Sequence, residues 1–104
     1  LFNENKIIKN INLSKLKSKK IYTNYYNPNF TIIEHIISIN KFLCKSLYGK
    51  NKKWWFGKLE LFNTIPKNYK MLEISIENQI LRKFVKTIIY IDKKVIGRIE
   101  FLGK

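Results

Sequence analysis

The stretch Thr31–Gly49, "TIIEHIISINKFLCKSLYG", predicts an amphipathic helix with a start signal and a stop signal. Thr31 and Glu34 have the S/T-x-x-E spacing of a capping box. Gly49 is placed to end the helix in a left-handed turn. A helix with a single apolar face covers something flat. We place Ile32, Ile36, Ile39, Leu43 and Leu47 along that face, widened by Ile33, Ile37, Cys44 and Tyr48, with Glu34, Ser38, Lys41 and Lys45 opposite.

The flat partner is predicted from the alternation of apolar and polar residues after the helix. Strands are expected over 54–62, 69–77, 84–92 and 95–101, preceded by a short strand in "KIYTNYYNP" (20–28). The predicted fold class is therefore α+β, with two layers: one long helix packed on a mainly antiparallel sheet of four to five strands. We divide the chain into a basic extended arm, 1–19, and a single α+β domain, 20–104.

The last two strands predict a hairpin with a defined register. Ile89 and Ile91 share a face, as do Val95 and Gly97. These faces coincide if Ile91 lies opposite Val95 and Ile89 opposite Gly97, since a slip of one residue reverses every side chain. We therefore expect a three-residue loop over 92–94.

Trp54 and Trp55 are adjacent in a predicted strand, so their side chains point to opposite faces. Parity with Leu59 and Leu61 predicts that Trp55 is in the core. Trp54 is then exposed, where its ring stacks on an RNA base or packs against a neighbouring protein; the sequence favours neither.

The charge of the chain predicts a polyanionic partner. There are 21 lysines and arginines against 7 acidic residues, a formal net charge of +14. Charge of one sign on this scale destabilises a free compact monomer. Lysine, which supplies all but two of the cations, is a mobile point charge suited to phosphates rather than to reading bases.

Three clusters of lysine predict the RNA contacts: the arm, the turn after the helix, and the next turn, "IPKNYK". The alternative is that these turns are ordinary solvated loops. The predicted RNA-binding residues are Lys15, Lys17, Lys19, Lys20, Lys50, Lys52, Lys53, Trp54, Lys58, Lys67 and Lys70.

No motif predicts catalysis, a cofactor, a small-molecule substrate or a metal site. His35 is expected at the surface or in the capping region of the helix, and Cys44 is expected to be a small core residue. With one cysteine and one histidine, the chain has no Cys-rich or His-rich metal cluster. It has no apolar run of about 18 residues, so no transmembrane segment is expected.

Composition suggests the source of the gene. Ile, Lys, Asn, Phe and Tyr dominate the chain, and alanine is absent. The codons of these five residues are written almost entirely in A and T, which suggests an AT-rich genome: that of an organelle, of an endosymbiont or of an AT-rich protist nucleus. We expect a mitochondrial protein, encoded in the organelle.

"KIYTNYY", the helix, the basic turn, "FGKLELF" and "YKMLEIS" together resemble the universal small-subunit ribosomal protein ten family over about half of the chain. On that resemblance Gly57 matches the family's glycine, 63–70 its basic loop and Ser75 its serine. It implies a protein of the small-subunit head that binds rRNA and neighbouring ribosomal proteins. Another organellar ribosomal protein with a cystatin-like arrangement is the alternative within that class. An accessory subunit of an organellar membrane complex, and a small DNA-binding protein, are alternatives from other classes.

Overall fold

The computed structural model describes residues 7, 16–17, 19–24 and 26–104. It confirms the two-layer α+β class, with one helix packed on an antiparallel sheet. The elements, in chain order, are β1 (Leu16–Lys17), β2 (Lys20–Thr23), α1 (Ile32–Tyr48), β3 (Trp54–Leu61), β4 (Leu72–Ile80), β5 (Phe84–Ile91) and β6 (Lys94–Gly103).

The sheet has the order β1-β2-β4-β5-β6-β3, with every neighbouring pair antiparallel. β3 follows the helix in sequence but pairs with the last strand, β6, at one edge of the sheet. The chain then returns across the sheet over residues 62–71 to begin β4 beside β2. As a result, both the end of β6 and the β4–β5 turn lie at the same end of the sheet as the start of β3.

The helix begins and ends where the sequence predicts. Thr31 Oγ1 accepts a hydrogen bond from the Glu34 N–H (3.1 Å), and Glu34 Oε1 accepts one from the Thr31 N–H (2.8 Å), which completes the capping box. Gly49 follows the last helical residue with a φ of 147°, and its N–H donates to the Lys45 carbonyl. Its φ is positive, as expected, but its ψ of 112° lies outside the left-handed helical region.

The core lies between one face of α1 and one face of the sheet. The alternation predicted for β4 and β5 is confirmed, because Leu72 and Ile74 are buried opposite Ile91 and Ile89. Ile7, within the predicted arm, is helical and fully buried in this core. The largest fully buried aliphatic side chains are Ile7, Ile21, Ile36, Ile39, Leu43, Leu72, Ile74, Val85, Ile89 and Ile99.

The β5–β6 hairpin has one of the two predicted residue pairs but a shorter loop. Ile89 pairs with Gly97 as expected, but Ile91 pairs with Lys94 rather than with Val95. The loop is therefore two residues, Asp92 and Lys93, both with positive φ (50° and 70°), as a type I′ turn requires. An irregularity between Ile89 and Tyr90 leaves an extra residue on β6 and restores the register. The prediction of a three-residue loop is wrong.

The assignment of the two tryptophans is also wrong, because β3 contains a bulge. Trp54 pairs with Gly103 and is 5% exposed, whereas Trp55 pairs with Leu102 and is 56% exposed. The register shifts between Phe56 and Lys58, so that Gly57 is the extra residue. One inserted residue reverses the parity of everything before it. Leu59 packs against the core as predicted, opposite Ile99. Leu61 pairs with Gly97 but is 49% exposed, and Trp55 points away from the helix.

His35 and Ser38 were expected outside the core, yet both are buried. His35 was expected at the surface or in the capping region of the helix. It lies in the capping region, but loop residues enclose its ring. Tyr26 stacks on it with ring centroids 4.9 Å apart, and Tyr69 approaches it edge-on at 5.7 Å. Tyr26 and Tyr69 come from separate connections, so their meeting is a long-range effect that the helical pattern alone does not contain.

Candidate nucleic-acid interface

One end of the domain concentrates positive charge. It is formed by three segments, 41–55, 79–85 and 102–104, which together contain eight lysines and arginines and no aspartate or glutamate. We call this region the basic end. Its cations are Lys41, Lys45, Lys50, Lys52, Lys53, Arg82, Lys83 and Lys104.

Arg82 joins the β4–β5 turn to the end of the helix. Its guanidinium donates to the Leu47 carbonyl (2.8 Å) and lies 5.3 Å from the centroid of the Tyr48 ring. A cation at this position is also favoured by the negative end of the helix dipole. The turn itself has Leu81 and Arg82 at positive φ, closed by the Lys83 N–H on the Ile80 carbonyl (3.0 Å). The turn is thereby fastened to the helix.

The loop after the helix is held by the same turn and by Lys104, which follows β6. Lys52 Nζ donates to the Arg82 carbonyl (2.6 Å) and lies 5.8 Å from the centroid of the Trp54 ring. The backbones of Lys53 and Lys104 exchange two hydrogen bonds of 2.9 Å. The buried Trp54 side chain also holds the start of the loop, because its indole N–H donates to the Gly49 carbonyl (3.0 Å). The lysines are therefore displayed on a folded surface.

A cleft of about 290 Å³ opens on this end between the helix and β3. Four lysines line it: two from the last turns of α1 and two from the following loop. Lys41 and Lys45 were not among the predicted RNA-binding residues. Their i, i+4 spacing near the end of the helix is the signal that could have identified them. The lining residues are Lys41, Lys45, Lys52, Lys53, Trp54 and Trp55.

None of the acidic residues that the structure describes falls within the three segments of the basic end. Glu34 begins the helix, and Asp92 is in the β5–β6 turn, where its carboxylate accepts from the Lys70 and Met71 N–H groups (3.0 and 2.8 Å). Arg98 is paired on the outer face of the sheet with Glu77 (2.8 Å) and Glu60 (3.4 Å). The separation gives the domain an electrostatic polarity that its net charge alone does not reveal.

The structure unites only part of the predicted RNA-binding set. Lys50, Lys52 and Lys53 lie in the basic end, and Lys58 lies farther along β3. Lys19 and Lys20 are at the β1–β2 edge of the sheet, opposite β3.

Lys67 and Lys70 lie at the other end of the domain, a helix length of about 25 Å away. Trp54 is buried, so its predicted role as an exposed stacking ring is wrong; the exposed ring is that of Trp55. For Lys17 only the backbone is described, and Lys15 lies outside the described residues.

Cys44 and His35 are the two side chains considered above for a chemical role, and both are buried in the structure. Burial raises the pKa of the Cys44 thiol to about 12, so the reactive thiolate is suppressed. His35 Nε2 accepts from the Asn27 N–H (3.0 Å), and Nδ1 lies 2.8 Å from the Thr31 carbonyl, which fixes the neutral tautomer with its proton on Nδ1. Among the described residues, no three His, Cys, Asp or Glu side chains are grouped to hold a metal ion.

In the described part of the chain, no helix combines the length and the apolar character needed to cross a lipid bilayer. Comparison of the chain with protein-family models, with curated proteins and with solved structures finds no match.

Proposed function

We propose that this chain is a structural RNA-binding protein of an organellar, mitochondrial ribosome, which binds rRNA phosphates through the basic end and packs against neighbouring ribosomal proteins. The observation that carries the proposal is the convergence of three separate segments, with eight cations and no acidic residue, on one end of a small folded domain. The proposed role is non-enzymatic.

Elementary electrostatics supports a phosphate backbone as the ligand. The eight cations repel one another in the free protein, and a polyanion relieves that repulsion while it releases its condensed counterions. The cleft widens the charged surface, since it adds lysines of the helix to those of the loop. Seven of the eight cations are lysines, which suit phosphate contacts that position an RNA without reading its sequence.

The ribosomal setting is supported by composition. The residues that dominate the chain have codons rich in A and T, which suggests an organelle gene. The rRNA of an organelle ribosome is a polyanion to which so basic a domain can bind permanently. Large apolar side chains are also exposed at the end of the domain opposite the basic end, where Leu61 is 49% and Phe62 45% exposed. Exposed apolar residues of this kind suit contact with neighbouring proteins.

Sedimentation of the native protein tests the setting. We expect the protein to migrate with ribosomal particles and to be released by RNase or by high salt, because both treatments remove the phosphate contacts. Migration with a detergent-solubilised membrane complex, unaffected by RNase, would contradict the proposal and favour an accessory subunit of that complex.

Binding to purified nucleic acids tests the ligand. We expect the protein to bind structured rRNA fragments with an affinity that falls steeply as salt is raised, in a filter-binding series. Duplex DNA of equal charge is the control. Tighter binding to the DNA at every salt concentration would instead favour a DNA-binding protein.

A further inference from the structure

Four apolar side chains, three of them exposed, form a row across the outer face of the sheet, the face turned away from the helix. Ile80 pairs with Phe84, Phe84 with Leu102, and Leu102 with Trp55. Residues directly opposite each other in antiparallel strands share a face. The row is on the outer face because its neighbours Val85 and Phe101 are buried beneath the helix. We call these residues the outer row; it crosses four strands, a span of about 14 Å.

The outer row is well exposed for apolar side chains. Trp55 is 56%, Phe84 53% and Ile80 53% exposed, and Leu102 is half-buried between two of them. Its two aromatic rings lie on β3 and β5, two strand spacings or about 10 Å apart. They provide two separate flat surfaces rather than a closed cluster.

Cations border the outer row on both sides. Toward the basic end, Lys53, Lys83 and Lys104 stand one or two residues beyond Trp55, Phe84 and Leu102, respectively. On the other side, Lys86 and Lys58 both pair with Glu100, so that two lysines flank one acidic residue. The row is thus an apolar strip inside a field of predominantly positive charge.

This combination distinguishes between two kinds of partner. The cores of protein–protein interfaces are depleted in lysine, whereas here lysines follow the apolar row along both borders. Proteins that bind single-stranded nucleic acid combine a positively charged track for the phosphates with aromatic rings on which bases stack. The outer row matches the second pattern, since every base has a flat face and stacking requires no sequence.

We propose that the outer row is a stacking surface for unpaired RNA, with bases on Trp55 and Phe84 and phosphates on the bordering lysines. The inference rests on the proposed function and specifies the form of the ligand: single-stranded segments, such as loops or ends of rRNA. Duplex RNA has its bases already stacked and paired, so it contacts the basic end without using the rings.

The test compares the affinity of the full chain for a short oligouridine and for an RNA duplex of equal length, at one salt concentration. Trp55→Ala is expected to weaken oligouridine binding about 5- to 100-fold. Duplex binding is expected to weaken by a much smaller factor, because Trp55 also lines the cleft of the basic end. Trp55→Phe, which keeps a ring, is expected to retain most of the affinity. The matched control is Phe62→Ala, which removes an exposed ring from the other end of β3 and is expected to change neither affinity.

A salt series separates stacking from charge. The salt dependence of oligouridine binding should be the same for Trp55→Ala as for the wild type, since no phosphate contact is lost. Wild-type binding of oligouridine by a Trp55→Ala/Phe84→Ala variant would overturn the inference while leaving the proposed function intact. If that variant bound RNA normally but no longer sedimented with particles, the row would be a protein contact, and the inference would again be overturned. Failure of the wild type to bind either RNA would instead refute the proposed function.

Discussion

His35 is a single ionisable side chain enclosed at the start of the helix. Burial lowers its pKa below the usual value of 6.5, against the opposing effects of the Thr31 carbonyl and the nearby Glu34 carboxylate, which raise it. The neutral ring is held at both nitrogens, since Nε2 accepts from the Asn27 N–H. Protonation would place a second donor against that N–H, so the folded state resists it.

We expect the free energy of unfolding to decrease as the pH falls below about 6.5, because the unfolded chain then binds a proton that the folded chain refuses. Above that pH the histidine is neutral in both states and contributes no slope. Urea unfolding followed across this range checks the prediction. The control is His35→Gln, which should show a flatter dependence; equal slopes for the two proteins would contradict the account.

Gly103 is required by the buried Trp54 ring. A Cβ at this position would lie 2.7 Å from Cη2 and Cζ3 of that ring, closer than carbon atoms normally approach. We expect Gly103→Ala to destabilise the protein by about 1–3 kcal/mol through overpacking, measured by urea unfolding.

The Gly103 prediction has an internal control. In the double variant Trp54→Phe/Gly103→Ala the smaller ring leaves room for the added methyl group. The loss in the free energy of unfolding should therefore be less than the sum of the losses in the two single variants. Strict additivity would show that the ring and the glycine do not interact in the way the structure places them.

Within the elements, periodicity predicted the helix and the buried faces of β4 and β5, because the alternation of β4 holds from Leu72 to Ile76, before the irregularity at Glu77, and that of β5 holds from Val85 to Ile91. It failed in β3, where Gly57 forms a bulge, and in the β5–β6 turn, where an extra residue lies beside Gly97. An isolated glycine in a strand is a known signal of a bulge. It does not show whether the residues before it or those after it point to the core. That choice depends on the partner strand, and the pairing of β3 with β6 is a property of the whole sheet.

Asn40 of α1 and Thr87 of β5 form a buried hydrogen bond between the two layers, 2.5 Å from Nδ2 to Oγ1. We expect Thr87→Val to cost about 1–3 kcal/mol in the free energy of unfolding, because it leaves the Asn40 amide buried without that acceptor. The measurement is urea unfolding. Replacing both residues, as Asn40→Leu/Thr87→Val, should recover part of the loss. A double variant less stable than Thr87→Val alone would contradict this explanation.

At the scale of the whole molecule, the topology assembles the basic end from segments that are distant in sequence. The lysine run 50–53 was predictable from the sequence because it is local. Arg82, Lys83 and Lys104 join it only because β3 pairs with β6, which brings the end of β6 and the β4–β5 turn to the same place. Lys67 and Lys70 were predicted with equal weight, yet the loop that carries them lies at the opposite end of the sheet.

We expect RNA to bind at the basic end rather than to positive charge anywhere on the domain. Two double variants remove the same charge from exposed lysines at the two ends: Lys50→Gln/Lys53→Gln at the basic end, and Lys93→Gln/Lys94→Gln in the β5–β6 turn. Their rRNA affinities, measured by filter binding across a salt series, test the claim directly. We predict that the first variant binds more weakly and that its log–log salt slope falls by about 0.7 per lysine, whereas the second retains the wild-type slope. Equal losses of affinity and slope in the two variants would contradict the account.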